Sequence, residues 1–339
     1  MNACPLRSTR KKPLMKVAVY YRNNDIRLEE HPVPKIGEGE ILVKIKASGI
    51  CGTDVMEWYR IKKAPRILGH EISGDIALSN SSKYKVGQRV FVSHHVPCYQ
   101  CKYCKEGHPT ACETLHTGNY DPGGYSEFVR IPKINVDHGV YVLPKNVSYE
   151  EGTMIEPLAC ALRGQETIGV KKGQTVLILG CGISGLLNIR VAKLNGAKVI
   201  ATDMEECRRG KAKECGADEV FNPKDLPPLK AEKVILCTGA LPAVKQAFQS
   251  LDRKGALLLF AIPDTDIQLP TVDLWRNEMT VTSSYGAAPD DLKNAIKLIA
   301  KGKIPVKDMI THRLPLEQAQ EGFHLVTEAK QTLKVVLVP

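Results

Sequence analysis

Four cysteines fall within fifteen residues: Cys98-x-x-Cys101-x-x-Cys104, then seven residues, then Cys112. Four thiolates at this spacing suit a closed tetrahedral Zn²⁺ site, which ties a loop together and leaves no open position for chemistry. A second set of metal-binding side chains is dispersed. It comprises Cys51, followed by Gly52, Thr53 and Asp54; His70 and Glu71 within Gly69-His-Glu-Ile-Ser-Gly74; and Glu156, followed by Pro157. Cysteine, histidine and a carboxylate give three ligands with a fourth position open, the pattern of a catalytic zinc. Each has a plainer reading when taken singly. His70 can be a satisfied core histidine, Glu156 a helix cap and Cys51 a small buried apolar residue. Spacing alone does not join them.

A third signal is Gly180-x-Gly182-x-x-Gly185. The first glycine permits a tight turn, the second lets the backbone approach a pyrophosphate, and the third lets helix and strand pack closely. The amides of Ile183 and Ser184, at the helix start, face the phosphates in this reading. Asp203 follows Gly185 by 18 residues and ends the next strand. A carboxylate there accepts from a ribose diol and repels a 2′-phosphate, so NAD is expected rather than NADP. Arg208 and Arg209 lie close enough to blunt that preference, and Arg208 is counted with the cofactor-binding residues.

These residues need two kinds of scaffold. Over 15–130 the sequence reads as short strands (17–21, 41–47, 89–93, 126–131) broken by Pro and Gly. A helix is expected over 150–164. From Lys172 onward strands and helices alternate: strands at 175–179, 198–202, 234–237, 256–260 and 280–284, with a helix over 183–194 that Gly196 stops. This rhythm predicts a parallel sheet flanked by helices. A last helix (316–326) and strand (332–338) close the chain.

The bulk properties agree with a folded enzyme-sized protein. The chain has 339 residues, 43% hydrophobic and 25% charged, enough for two cores of ordinary composition. No stretch approaches the ~18 apolar residues of a membrane span. Four of the ten surplus positive charges come from Arg7, Arg10, Lys11 and Lys12. The rest are interspersed with acids, which argues against nucleic-acid binding. Residues 1–14 read as a basic tail without the apolar run of a secretory signal. With eleven cysteines read as metal ligands or structural residues rather than disulfides, a cytoplasmic location is expected.

Taken in order, Gly49-Ile-Cys51-Gly-Thr53-Asp54, Gly69-His70-Glu71-x-x-Gly74, the four-cysteine lobe, Glu156-Pro157-Leu158 and the glycine turn resemble the zinc-dependent medium-chain alcohol dehydrogenase family, nearest its sorbitol (polyol) and threonine dehydrogenase branch. The resemblance runs from about residue 15 to 339. It implies an α/β chain with a GroES-like, β-rich catalytic domain made of 15–152 and 289–339, carrying the structural zinc lobe at 94–113. A Rossmann doubly wound parallel sheet at 153–288 lies between these two parts. It implies two zinc ions per chain. One is structural, on Cys98, Cys101, Cys104 and Cys112. The other is catalytic, near Cys51, His70 and Glu156, with Glu71 either a ligand or one layer behind. The implied reaction is hydride transfer between a secondary alcohol and nicotinamide, with zinc as Lewis acid and Thr53 taking the alcohol proton. A homodimer or homotetramer is implied, paired through the strand at 280–284.

Departures from the family pattern are specific. Relatives often carry a relay histidine five residues after the first zinc cysteine, where this chain has Met56. The segment between Trp58 and Gly69 is short, so the substrate mouth differs. His94, His95, His116, Asn119 and Tyr120 are further candidates for substrate contact. Two neighbouring activities, on amino alcohols and on sugar phosphates, share the same chemistry. A non-catalytic nucleotide-binding protein would be expected to have lost the Cys51, His70 and Glu156 set, which is intact.

Overall fold

The computed structural model describes residues 13–339. Arg7, Arg10, Lys11 and Lys12 lie outside the described residues. The expected tail stops short of residue 14, because Leu14 already pairs with Pro32 in the first hairpin, Leu14–Arg22 with Asp25–Pro32.

Two large sheets organise the rest. The first is a mixed sheet with strand order Ile310–Pro315, Lys334–Val338, Ile41–Gly49, Glu71–Ser79, Arg89–Ser93, Val140–Val142, and with Phe128–Ile131 also on Ile41–Gly49. The two parts of the chain that sequence places together meet here, since Val336 pairs with Gly49. The inward side chains are β-branched or aliphatic: Ile41, Val43, Ile45, Ile72, Ile76, Val90 and Val92 form one continuous buried cluster. Such residues suit a pleated, half-buried surface.

The second sheet is parallel and six-stranded: Glu219–Phe221, Lys198–Thr202, Thr175–Leu179, Ala231–Leu236, Leu251–Leu259, Thr280–Ser283. In chain order this is 3-2-1-4-5-6, the Rossmann order, with its switch point beside the first strand. Helix Ile183–Leu194 follows that strand. Both faces are covered, and Val176, Leu177, Ile178 and Leu179 are all buried, which is why the strand reads as an unbroken apolar run. Among the described residues no helix is long and apolar enough to cross a membrane.

One expected helix is two. Tyr149–Gly152 is capped by a reciprocal box between Ser148 and Glu151. A new helix, Ile155–Thr167, then begins after Thr153 and Met154. Pro157 explains the restart. It has no N–H to donate, so it fits only where helical amides lack partners, in a first turn. Glu156 is thereby delivered at a helix start.

Candidate active site

The four-cysteine lobe is built locally, from Lys102–Lys105, the turn Pro109–Ala111 and Glu113–Thr117. All four sulfurs lie within 4.8 Å of one another. Cys101 and Cys104 Sγ are 3.5 Å apart, as are Cys112 and Cys98 Sγ. A tetrahedron with arms of about 2.3 Å has edges of roughly 3.8 Å, so the donor set fits zinc. Backbone amides of Gln100 and Cys101 donate to Cys98 Sγ at 3.4 and 3.3 Å, and the Cys98 amide donates to Cys112 Sγ at 3.4 Å. Burial pushes the Cys112 thiol up, but the amides of Cys98 and Leu115 outweigh it and bring its pKa down to about 6, whereas burial and the neighbouring thiols push Cys104 up to about 12. Four sulfurs so placed suit a soft divalent metal, whose binding releases the protons that remain on the set.

The second set is assembled by the mixed sheet. Gly49 and Glu71 are cross-strand partners, so Cys51, just past one strand, stands beside His70 and Glu71 at the start of the next. One donor atom from each of Cys51, His70 and Glu71 lies within 4.8 Å of the others. Glu156 is not in that tight set. Its carboxylate accepts from the Cys160 thiol at 3.3 Å, and burial, together with Glu71, raises its pKa. Glu71 is itself held by the buried Lys334 ammonium, whose strand lies across Ile41–Gly49. Gly49 makes room for this pair, since a Cβ there would overlap the Glu71 carboxylate and the Lys334 stem.

Behind the Cys51, His70 and Glu71 donor atoms sits Asp54, fully buried in the turn Gly52–Val55. It accepts from Tyr125 Oη at 2.6 Å and from the Cys51 amide at 3.2 Å, and lies 3.5 Å from His70 Nδ1. Burial opposes charge on both partners, but their mutual attraction wins: Asp54 is held well below the usual carboxylate range and His70 well above the usual histidine range. A carboxylate on the rear nitrogen of a metal-binding histidine fixes its orientation and raises its basicity. Thr53 is exposed at the front. Its hydroxyl donates to Cys51 Sγ at 3.4 Å and accepts from Arg60 Nη2 at 3.0 Å.

The opposite wall is aromatic and imidazole-rich. His94 packs on His70 with ring centroids 4.8 Å apart, and His95 stacks on His94 at 3.6 Å. Tyr285, carried from the end of the parallel sheet, stacks on His95 at 5.8 Å and meets His116 edge-on at 4.8 Å. His94 Nδ1 is buried with no hydrogen-bond partner among the described residues. Burial pushes both His94 and His95 down, His95 to about 3, so both stay neutral. Asn119 accepts from the adjacent Tyr120 amide, and Tyr120 is buried, its hydroxyl reaching Gly69 O at 3.5 Å.

At the glycine turn, Gly180 has φ +94°, and a Cβ on Gly185 would overlap the Gly180 carbonyl. Gly182 caps the helix, leaving the first amides, those of Ile183 and Ser184, without helical partners. Asp203 accepts from the Cys181 amide at 2.7 Å and the Glu205 amide at 2.9 Å. Each carboxylate oxygen keeps a lone pair for a ribose hydroxyl. Arg208 sits beside Gly182, and its Nε is buried with no hydrogen-bond partner among the described residues. Arg209 instead donates to the Asp203 and Met204 carbonyls.

Residues 37–142 match the alcohol dehydrogenase GroES-like domain, and residues 184–301 the zinc-binding dehydrogenase domain. The chain belongs to the zinc-dependent alcohol dehydrogenase family. Within this family it is similar to sorbitol dehydrogenase of Bacillus subtilis, 32% identical over 96% of this chain and 97% of that one. It is also 32% identical to sheep (Ovis aries) sorbitol dehydrogenase, over 90% of this chain and 91% of that one. D-xylulose reductase A of Aspergillus oryzae is 31% identical, over 90% and 91%. Among solved structures, 2R,3R-butanediol dehydrogenase from Bacillus subtilis superposes with a TM-score of 0.84 at 27% identity, over 96% of this chain and 99% of that one. An Escherichia coli alcohol dehydrogenase complexed with NADH gives 0.86 at 27%, over 96% and 99%. Residue motifs, sheet order and relatives thus agree on the polyol dehydrogenase branch.

Sequence reasoning assigned no role to Asp54, Arg60, Lys334 or Tyr285. A lysine in the apolar run Lys334–Val338 was the one available signal, because a charge in such a strand needs a partner.

Proposed function

We propose that this dehydrogenase oxidises a polyol or related secondary alcohol to a ketone with NAD, reversibly. The observation that carries the reading is the meeting of Cys51, His70 and Glu71 with the Thr53 hydroxyl on the Cys51 sulfur. Cys51 and His70 would hold the catalytic zinc, with Glu156 or Glu71 as the carboxylate, and Cys98, Cys101, Cys104 and Cys112 would hold a structural one. When bound, zinc supplies Lewis acidity at the alcohol oxygen and nicotinamide supplies the hydride acceptor.

The protein's own groups do the rest. The Thr53 hydroxyl, bonded to the Cys51 sulfur, would take the substrate's proton. Arg60 donates to that hydroxyl and to the Thr53 carbonyl, so it orients Thr53. A guanidinium cannot accept a proton, so the proton leaves by another route and Arg60 does not replace the relay histidine missing at Met56. Its charge favours the deprotonated form of a nearby oxygen. The orphan His94 nitrogen suits a substrate hydroxyl, as a polyol would offer. Gly180, Gly182, Gly185, Ile183, Ser184 and Arg208 would hold the pyrophosphate and Asp203 the adenosine ribose. Sheet membership supports assigning 15–152 and 289–339 to substrate and 153–288 to the dinucleotide.

We also read the chain as a homodimer or tetramer. Strand Thr280–Ser283 is an open sheet edge, and Ile262, Val272 and Trp275 beside it are 64%, 65% and 78% exposed.

The test is formation of reduced nicotinamide across a panel of polyols, other secondary alcohols and threonine, each with NAD and with NADP, on protein retaining its zinc. Turnover with a polyol and NAD is expected. Zinc-loaded, NAD-binding protein silent on every alcohol and on the corresponding ketones would overturn it.

A further inference from the structure

Beside Thr53 the short helix Glu57–Arg60 and the turn Ile61–Lys63 lead into strand Arg66–Ile67. Tyr59, Arg60, Lys63 and Arg66 line a small hollow there. Arg60 belongs to both places, since it touches Thr53 and Asp54 and also forms a wall of the hollow.

Arg66 is the unusual member. It is partly buried, yet among the described residues it is the one such arginine with neither a hydrogen bond nor an ion pair from its guanidinium. Comparable arginines are matched: Arg130 by Glu40 and Asp121, Arg163 by Asp291, Arg190 by Asp308. Arg208, which also lacks an acid, is the one placed at the pyrophosphate turn. Burial and the neighbouring Arg60 both pull the Arg66 pKa down, so the folded chain holds two cations together at a cost. Of the acids nearby, Asp54 is occupied by His70, Arg60 and Tyr125, while Glu57 accepts from the Asn23 amide. Two like charges kept together, with the nearest acid, Asp54, already engaged by Arg60 and His70, have the form of an anion site waiting for its ligand.

We infer that the hollow of Arg60, Lys63 and Arg66 binds an anionic group on the substrate, a phosphate ester or a carboxylate, while a hydroxyl of the same molecule reaches Thr53. This rests on the dehydrogenase reading and narrows it: the substrate is an acidic polyol.

The experiment pairs calorimetric binding with turnover on the zinc-loaded enzyme with NAD. The probes are glucitol, glucitol 6-phosphate and gluconate, and inorganic phosphate serves as competitor. At least one charged probe is expected to bind roughly 10-fold or more tightly than glucitol, with phosphate competing and salt weakening it. Which of the two charged probes wins tells a phosphate ester from a carboxylate. Arg66→Gln should weaken the charged probe roughly 10- to 100-fold through KM, with kcat held and glucitol unaffected. Arg66→Lys should restore part of the loss. Because Arg66 has no internal partner, Arg66→Gln should melt no lower than the parent; should it fail to fold, Lys63→Gln provides the same comparison. Equal binding of charged and neutral probes, or equal loss of both in Arg66→Gln, overturns the anion site. Tight, Arg66-dependent binding without any nicotinamide reduction keeps the anion site and instead defeats the dehydrogenase reading.

Discussion

The two cysteine-containing centres are made in opposite ways. The 98–112 lobe takes all four sulfurs from one short stretch and has local amides donating to Cys98 and Cys112 Sγ. The Cys51, His70 and Glu71 centre draws on adjacent strands and is backed by the charges of Asp54 and Arg60 from the turn after Cys51 and of Lys334 from the far end of the chain. A closed thiolate set needs only a loop of the right length. An open, reactive set needs a rigid sheet to hold unlike ligands apart and a charged layer to tune them.

The sharpest way to break this contrast is to remove a ligand from each. Cys51→Ser or His70→Ala should lower turnover by roughly a thousandfold or more, since the Lewis-acid contribution is worth several kcal/mol, while NAD binding by fluorescence stays intact. Cys101→Ser should cut zinc content by one ion per chain and lower the thermal midpoint, because a structural site's binding energy is folding energy. If both variants lost stability alone, the division into reactive and structural centres would be wrong.

The next largest effect tests the charged layer. Lys334→Met leaves Glu71 buried and unpaired, which should cost about 3–5 kcal/mol in urea unfolding of the metal-free protein. Adding Glu71→Gln should return most of it. Additive losses in the double variant would mean that the pair is not coupled. No substitution in the 98–112 lobe should show this rescue.

The effect that is smallest per step is in pH. Burial, then His70, His116 and Arg60, hold His95 at about 3 in the folded protein, against about 6.5 in the unfolded chain. Between these values the unfolded chain binds more protons, so stability should fall as pH drops from about 6.5 towards 3. The slope attributable to this group is roughly 1.4 kcal/mol per pH unit. His95→Gln should flatten that part of the profile; an unchanged slope would place the histidine in water rather than in the wall.

The legible features were those with short-range causes. The glycine turn, helix Ile183–Leu194 and strands Thr175–Leu179 and Lys198–Thr202 fall where periodicity and glycine placed them, because each depends on neighbours a few residues away. The break at Thr153 and Met154 was available in Pro157 but outweighed by the helical pattern around it. Cys51, His70 and Glu156 could be linked only through the family's ordered motifs.

Chain order and residue type therefore determined by themselves the class of fold, the four-cysteine cluster and the glycine turn. Tertiary structure alone decided that Glu71, rather than Glu156, stands in the tight set with Cys51 and His70, that Lys334 neutralises it, that Asp54 braces His70, and that Tyr285 reaches across to His95. The reason is physical. Which buried charge meets which is set by strand register and by the energetic demand that each be paired, and neither quantity is written in local spacing.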